Sequence, residues 1–156
     1  MQNRERAPSA RRQDYCRCSP ATRREDVPVT ESGARFVDAL AAKDTERLLD
    51  LFAADVAFRG LTPNRFWEAG SPREVVEDVL YEWFEPKDVI EAVERVEVGD
   101  IMGRARADYR FRVRNDDGLF AVEQRAYIDL DTDGRISRMQ VMCAGFRAVP
   151  DRRRKP

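Results

Sequence analysis

The stretch from Arg104 to Arg114 reads Arg-Ala-Arg-Ala-Asp-Tyr-Arg-Phe-Arg-Val-Arg, and it carries the strongest structural signal in the chain. Apolar or aromatic residues at the odd-numbered positions alternate with charged residues, which predicts a strand with one buried face and one face in water. Further strand patterns predict a run of strands at about 88–98, 102–114, 119–131 and 135–147. Gly118 and Gly134 lie in the intervening turns, where a hairpin needs a residue that tolerates positive φ.

Three helix patterns come before these strands. The first runs from about residue 31 to 43, and Asp44 is suited to cap a second, short helix. The segment Ser71-Pro72-Arg73-Glu74 is a strong start for a third helix, because Ser and Glu can satisfy free amides and Pro suits the first turn. The sequence therefore predicts an α+β fold, in which a cone-shaped, curved antiparallel β-sheet wraps around three N-terminal helices.

The region between the second and third helices is expected to hold one short strand and one irregular segment. Residues 55–59 alternate with period two and predict the strand. Residues 60–70 read Gly-Leu-Thr-Pro-Asn-Arg-Phe-Trp-Glu-Ala-Gly, which is too aromatic for an ordinary solvated loop. We expect this segment to be irregular and to pack over other residues at the mouth of the cone.

The 156 residues of the chain suit a single domain with basic ends. Residues 1–28 form a basic extension that we expect to be disordered, residues 29–148 form the domain, and residues 149–156 form a basic tail. Val29 is followed by Thr-Glu-Ser, which looks like a natural protein start. We therefore hypothesise that residues 1–28 are an artefact of conceptual translation.

The distribution of charge limits the partners of the chain. The net charge is −1, but residues 1–28 and 151–156 each carry +3, so the domain itself is acidic. An acidic body repels phosphate backbones, which does not favour a nucleic-acid partner. Neither a membrane span nor a secretory signal is recognisable, and the expected location is the cytoplasm.

The chain contains no histidine, which excludes Ser-His and Cys-His nucleophiles and every imidazole acid, base or metal ligand. Cys16, Cys18 and Cys143 form no disulfide framework, and a lone Cys-x-Cys lacks the further ligands of a zinc site. We therefore expect neither a metal nor a cofactor, and we interpret Cys143 as a small core residue.

The order of elements and three local phrases resemble the nuclear transport factor 2-like superfamily over residues 31–148. The phrases are Phe36 to Asp44, Leu51 to Val56, and Asp133-Gly134-Arg135-Ile136 leading into Met139-Gln140-Val141. A loop Leu61-x-Pro to Trp67-Glu68, the pair Trp83-Phe84 and the late Cys143-Ala144-Gly145-Phe146-Arg147 resemble uncharacterised, SnoaL-like members of actinobacterial type. The resemblance implies a cone fold with an internal pocket, and it implies no known reaction.

The catalytic groups of the enzymes in this superfamily are not carried over. Phe36, Gly60 and Ala126 stand where ketosteroid isomerases have the oxyanion-hole tyrosine, the catalytic base and a protonated aspartate. Proton abstraction beside a carbonyl needs a base and donors aimed at the enolate, so that mechanism is lost. Arg106-Ala107-Asp108 matches an Arg-x-Asp of limonene epoxide hydrolases, but the alternation turns Arg106 and Asp108 away from the pocket.

The inward-facing positions predict a largely apolar pocket. Gln124 is the polar exception, and a hydrogen bond to the backbone or to the Tyr109 hydroxyl would satisfy it. Glu68 beside Trp67 is a candidate for acid–base work, or else a solvated acid paired with Arg65 or Arg73. The expected ligand pocket consists of Phe36, Phe58, Trp67, Glu68, Tyr109, Gln124, Met139 and Val141.

The function predicted from these residues is binding of a small, largely apolar molecule in the cone, with no catalytic residue assigned. One alternative is a SnoaL-like isomerase, cyclase or dehydratase that uses a carboxylate such as Glu68, or water, with Tyr109 and Gln124 as donors. Another is a structural or interaction module whose cone is filled by its own side chains. Alternating charges on the outer strand faces, with Tyr127 among them, also predict a homodimer through the outer sheet face.

Overall fold

A computed structural model describes residues 29–151 as three helices and six strands. The helices are α1 (Val29–Ala41), α2 (Thr45–Leu51) and α3, which has a π-helical part (Glu74–Leu80) and a final α-helical turn (Tyr81–Trp83). The strands are β1 (Phe52–Thr62), β2 (Arg65–Ala69), β3 (Val89–Ile101), β4 (Arg104–Asn115), β5 (Gly118–Leu130) and β6 (Ile136–Ala148). The predictions for residues 1–28 and 152–156 lie outside the described residues.

The six strands form one sheet in the order β2-β1-β6-β5-β4-β3. Its pairs are antiparallel except that β1 and β6, which α3 and four strands separate along the chain, run parallel. Gly118 and Gly134 have φ values of 142° and 79°, as the hairpin pattern predicts. The predicted α+β class is confirmed: a curved sheet of six strands is wrapped around three helices, although the sheet is mixed rather than wholly antiparallel.

The helix starts follow the predicted capping chemistry. Asp44 Oδ1 accepts a hydrogen bond of 3.1 Å from the Arg47 backbone N–H at the start of α2. At the start of α3, Ser71 Oγ accepts from the Glu74 N–H at 3.3 Å, and the Glu74 carboxylate accepts from the Gly70 N–H at 2.8 Å. Between residues 29 and 151 no helix combines the length and the apolar character that crossing a membrane requires.

The expectation of an irregular segment at residues 60–70 is wrong. β1 extends to Thr62 and β2 pairs with it antiparallel, so most of this segment is a β-hairpin that turns at Pro63 and Asn64. The Thr62 hydroxyl donates to the Arg65 carbonyl across the turn at 3.0 Å. The Trp67 indole packs against the core from one face of β2, while Phe66 and Glu68 are exposed. This alternation identifies the strand, although the high aromatic content obscured it.

The core lies between the helices and the inner face of the sheet. α1 lies across β3, β4 and β5, and this close approach is possible because its Gly33 has no side chain. A Cβ atom at Gly33 would lie 3.1 Å from the Ala107 Cβ of β4. Phe36, three residues further along α1, makes edge contacts with Phe52 and Tyr109 at ring-centroid distances of 6.2 and 6.3 Å.

Gly60 of β1 brings the sheet into direct contact with the end of α3. A Cβ atom at this position would lie 2.5 Å from Cζ2 and 2.6 Å from Cη2 of the Trp83 indole, so only glycine leaves room for that ring. Trp83 also contacts Phe58 of β1 and Trp67 of β2, with ring centroids 6.0 and 6.2 Å away. The side chain therefore joins α3 to the β1–β2 hairpin.

The variant Gly60→Ala tests this contact. The added methyl group forces Trp83 out of its place, and overpacking of this kind costs about 1–3 kcal/mol. Urea unfolding followed by circular dichroism should show that loss, together with a shift in tryptophan emission. Gly70→Ala is the matched control, because the nearest atom to its new Cβ is a Glu74 carboxylate oxygen 3.8 Å away. Equal stability of the two variants would contradict the proposed fit of Trp83 over Gly60.

Candidate functional site

Six of the eight predicted pocket residues lie in the interior of the cone. They are each less than 5% exposed: Phe36, Phe58, Tyr109, Gln124, Met139 and Val141. They come from α1, β1, β4, β5 and β6, and the period-two alternation of each strand turns its member inward. At the centre these side chains pack on one another, as the contacts of Phe36 with Phe52 and Tyr109 show.

Tyr109 and Gln124 form a buried hydrogen-bonded pair. They lie directly opposite each other on β4 and β5, and the Tyr109 hydroxyl donates to Gln124 Oε1 at 2.7 Å. The predicted pairing of Gln124 with that hydroxyl is confirmed. Burial raises the pKa of Tyr109 well above its usual value, which keeps the phenol protonated as a donor. Gln124 Nε2 is buried and has no hydrogen-bond partner in the described part of the chain.

A cleft of about 450 Å³ opens at one end of this interior, and we call it the mouth cleft. It lies where β1 and β6 end and where the β4–β5 turn meets the end of α3. Its apolar lining comes from Trp83, Phe120, Cys143 and Phe146, and its rim from Glu82, Glu85, Lys87, Asp88, Asn115 and Asp117. Cys143 is the strand partner of Gln124, so the central polar pair lies next to this lining.

Trp83 has an unusual position in the lining of the mouth cleft. The residue is only 8% exposed, yet its indole Nε1 is buried without a hydrogen-bond acceptor anywhere in residues 29–151. The other tryptophan differs, because Trp67 Nε1 donates to the Thr62 hydroxyl at 3.0 Å. A buried donor without a partner costs about 1–3 kcal/mol, and Trp83 carries this cost at the lining of the mouth cleft.

The rim of the mouth cleft is predominantly acidic. Glu85 forms an ion pair with Lys87 at 2.9 Å. The buried carboxylate of Asp88 accepts from the Glu85 backbone N–H at 3.0 Å and from Asn115 Nδ2 at 2.8 Å. These contacts hold the segment after α3 against the β4–β5 turn, which fixes the position of this side of the cleft.

Glu68 does not lie in the pocket with the other candidates. Its side chain is 62% exposed and forms an ion pair with Arg59 at 3.3 Å, on the outer face of the β1–β2 hairpin. The expected alternative of a solvated, paired acid is therefore the arrangement found, although the partner is Arg59 rather than Arg65 or Arg73. Trp67, one residue earlier, faces the opposite way and contacts Trp83. The structure thus separates Glu68 from Tyr109 and Gln124.

The Arg106-Ala107-Asp108 motif faces as the alternation predicts. Ala107 is buried beneath α1, whereas the Asp108 carboxylate lies on the outer side of the sheet. There it is held by Arg106 at 2.9 Å and by a short contact with Arg125. Two guanidinium groups therefore satisfy this carboxylate, and it has no access to the interior.

None of the twelve residues that line the mouth cleft was among the eight predicted pocket residues, and Phe120, Phe146 and Asp117 show why. Phe120 was on the inward-facing side of its strand pattern, so the alternation could have pointed to it. Phe146 follows Gly145, whose φ of 79° interrupts the alternation near the end of β6. The place of Asp117 depends on how the β4–β5 turn packs beside α3, for which the sequence carries no local signal.

The hydrogen bond between Tyr109 and Gln124 should appear as an energetic coupling. Tyr109→Phe and Gln124→Leu each leave one buried polar group unsatisfied and should each cost about 1–3 kcal/mol of stability. The double variant removes both groups, so its loss should fall short of the sum by about 1 kcal/mol or more in a urea-unfolding cycle. Tyr127→Phe, on the outer face, is the control and should change stability by less than about 0.5 kcal/mol. Additive losses would show that the hydrogen bond contributes nothing.

Comparison with known proteins relates this architecture to several solved structures. No protein-family model matches the chain, and no curated protein sequence matches it. An LEH-like epoxide hydrolase from M. tuberculosis is similar, with a TM-score of 0.56 and 13% identity over 74% of this chain and 81% of that one. A proposed polyketide cyclase from Pseudomonas putida KT2440 has a TM-score of 0.58 and 16% identity, covering 74% of this chain and 91% of that one.

A proposed isomerase from Bacillus subtilis has a TM-score of 0.60 with 10% identity, covering 74% of this chain and 88% of that one. At such low identities these likenesses concern the fold alone, since one fold hosts many unrelated functions. The three proteins are named for different reactions, so the residues of the site itself have to carry any argument about activity.

Proposed function

We propose that this chain, which has the fold of the nuclear transport factor 2-like superfamily, binds a small, largely apolar molecule in the mouth cleft. The observation that carries the proposal is the unpartnered Nε1 of Trp83, a buried donor in the lining of an aromatic cleft. The cleft volume of about 450 Å³ lies within the range of small-molecule sites. Apolar lining with a few placed polar groups is also the usual composition of such sites.

The polar groups near the cleft call for an acceptor on the ligand. Trp83 Nε1 can only donate, and the free Nε2 of Gln124 is likewise a donor. Gln124 lies opposite Cys143, a residue of the lining, so both donors are near the same space. A ligand with a carbonyl, hydroxyl or ether oxygen on an apolar body would therefore satisfy Trp83 and fill the aromatic lining.

The positions of the residues favour ligand binding without catalysis. A SnoaL-like isomerase, cyclase or dehydratase would need an acid or base beside the donors, and Glu68 lies on the outer face instead. The Tyr109 hydroxyl is already used by Gln124. We propose the cytoplasm as the location of this function.

The two tryptophans provide a matched test of the proposed site. Trp83→Phe keeps an aromatic ring but removes the free donor, so 2-naphthylmethanol should bind at least several-fold more weakly in isothermal titration calorimetry. Trp67→Phe is the control, because its Nε1 already donates to Thr62 and it does not line the mouth cleft. That variant should bind the probe as the unaltered protein does.

Native mass spectrometry of the purified protein, set beside its denatured spectrum, tests the same proposal without a chosen probe. A small molecule that is released on denaturation would identify the ligand class directly. The proposal would be wrong if no molecule is released and the naphthalene probe also fails to bind, because the cleft would then be empty space between packed elements.

We also propose that two copies of the chain associate through the outer face of the sheet. Leu61, Phe66 and Met142 are neighbours on β1, β2 and β6, and they are 46%, 56% and 61% exposed. They border a groove of about 290 Å³ together with Tyr127 and Arg125. A row of exposed apolar side chains rimmed by charge is typical of a protein interface.

The arginines beyond this row are paired with acids, as Arg104 is with Asp129, which leaves little free positive charge for binding nucleic acid.

Charge placed within this apolar row should disrupt the assembly. We expect the unaltered protein to elute as a dimer in size-exclusion chromatography with light scattering, and Phe66→Glu or Met142→Glu to elute as a monomer. Met102→Glu is the control, because Met102 is 99% exposed in the β3–β4 turn and away from the row. A monomeric unaltered protein, or dimers in all variants, would show that the row is not the interface.

A further inference from the structure

We infer that the ligand of the mouth cleft is an amphipathic organic cation, with an apolar body and an amine that is protonated at neutral pH. This inference rests on the proposed function, because it concerns the same cleft. Its basis is the charge of the residues at the rim of the cleft rather than the aromatic residues of the lining. Four carboxylates and one ammonium group border the cleft, from Glu82, Glu85, Asp88, Asp117 and Lys87, which leaves an excess of three negative charges.

Two of these carboxylates are available to a ligand. Glu85 pairs with Lys87, and Asp88 accepts from a backbone amide and from Asn115. Glu82 and Asp117 are exposed, and their side chains form neither an ion pair nor a hydrogen bond within the described range 29–151. They come from the end of α3 and from the β4–β5 turn, and both border the opening.

The basic residues around the cleft do not cancel this field. Lys43 lies behind the rim, where its Nζ donates to the Glu85 carbonyl at 2.6 Å, and it lowers the local excess to two negative charges. Arg114, beside Asn115, is held by the Glu91 and Asp151 carboxylates at 2.6 and 2.7 Å. The remaining arginines of β4 and β5 point to the outer face of the sheet.

The aromatic lining of the cleft is also suited to binding a cation. Trp83, Phe120 and Phe146 present aromatic rings, whose faces attract positive charge. Phe120 and Phe146 are in contact, with centroids 5.7 Å apart, so they form one apolar surface below the rim. An ammonium group near the carboxylates of the rim would leave the apolar body on these rings. The buried Nε1 of Trp83 would then receive an acceptor oxygen of the same ligand.

Three probes that share one ring system separate charge from apolar binding. They are 2-naphthylmethylammonium, 2-naphthylmethanol and 2-naphthoate, each titrated calorimetrically at pH 7 in low and in high salt. Two or three net charges at the rim should favour the ammonium over the alcohol by about tenfold at low ionic strength, and the preference should shrink in high salt. The carboxylate should bind most weakly of the three.

The double variant Glu82→Gln with Asp117→Asn should remove the preference for the ammonium over 2-naphthylmethanol. The control is Glu46→Gln with Asp133→Asn, which makes the same change in net charge at two exposed acids away from the cleft. This control should keep the preference nearly intact.

The outcomes distinguish this inference from the proposed function. If the ammonium and the alcohol bind equally well, or if the carboxylate binds best, the cationic ligand is wrong while binding in the cleft stands. If both double variants lose the preference equally, the effect belongs to overall charge and not to the rim, which also overturns the inference. If none of the three probes binds, both proposals fail.

Discussion

The contact between the Trp83 indole and the backbone of Gly60 is the interaction on which the arrangement of this molecule depends. It brings the end of α3 against β1 at a distance that no side chain at residue 60 would permit. Through the same ring α3 also meets Phe58 and Trp67, so the β1–β2 hairpin, the helix and the sheet are joined at one point. The mouth cleft exists because this indole forms one of its walls.

Charge and apolar surface are segregated over the sheet. The inner face is apolar except for the Tyr109–Gln124 pair, which satisfies the hydroxyl and the amide oxygen but leaves the amide nitrogen free. The outer face carries arginines that are bound to carboxylates, including the buried Asp108 between Arg106 and Arg125. At the rim of the cleft, Glu82 and Asp117 form no ion pair within residues 29–151, and these are the carboxylates inferred to bind the ligand.

This distribution of charge distinguishes the mouth cleft from the active site of an enzyme with the same fold. A cone lined with apolar groups can still catalyse a reaction if an acid or base stands beside the donors. Here the interior holds Phe36, Gly60 and Ala126 at the positions where the resemblance to ketosteroid isomerases implies catalytic groups, and Trp83 occupies the space beside Gly60. Within residues 29–151 the two buried carboxylates, Asp88 and Asp108, lie at the rim and on the outer face. The proposed function is therefore recognition of a ligand by donors, aromatic rings and charge.

The sequence by itself determined the layers of this protein, because the alternation in β4 and β5 is local and every second side chain must share a face. That alternation predicts the sheet, the burial of Tyr109 and Gln124, and the outward orientation of Arg106 and Asp108. Only the tertiary structure decided that residues 60–70 form a hairpin, that Glu68 faces outward, and that Trp83, Phe120, Phe146 and Asp117 meet around one cleft. These outcomes depend on strand pairing and helix packing between residues that are distant in the chain, which no local pattern specifies.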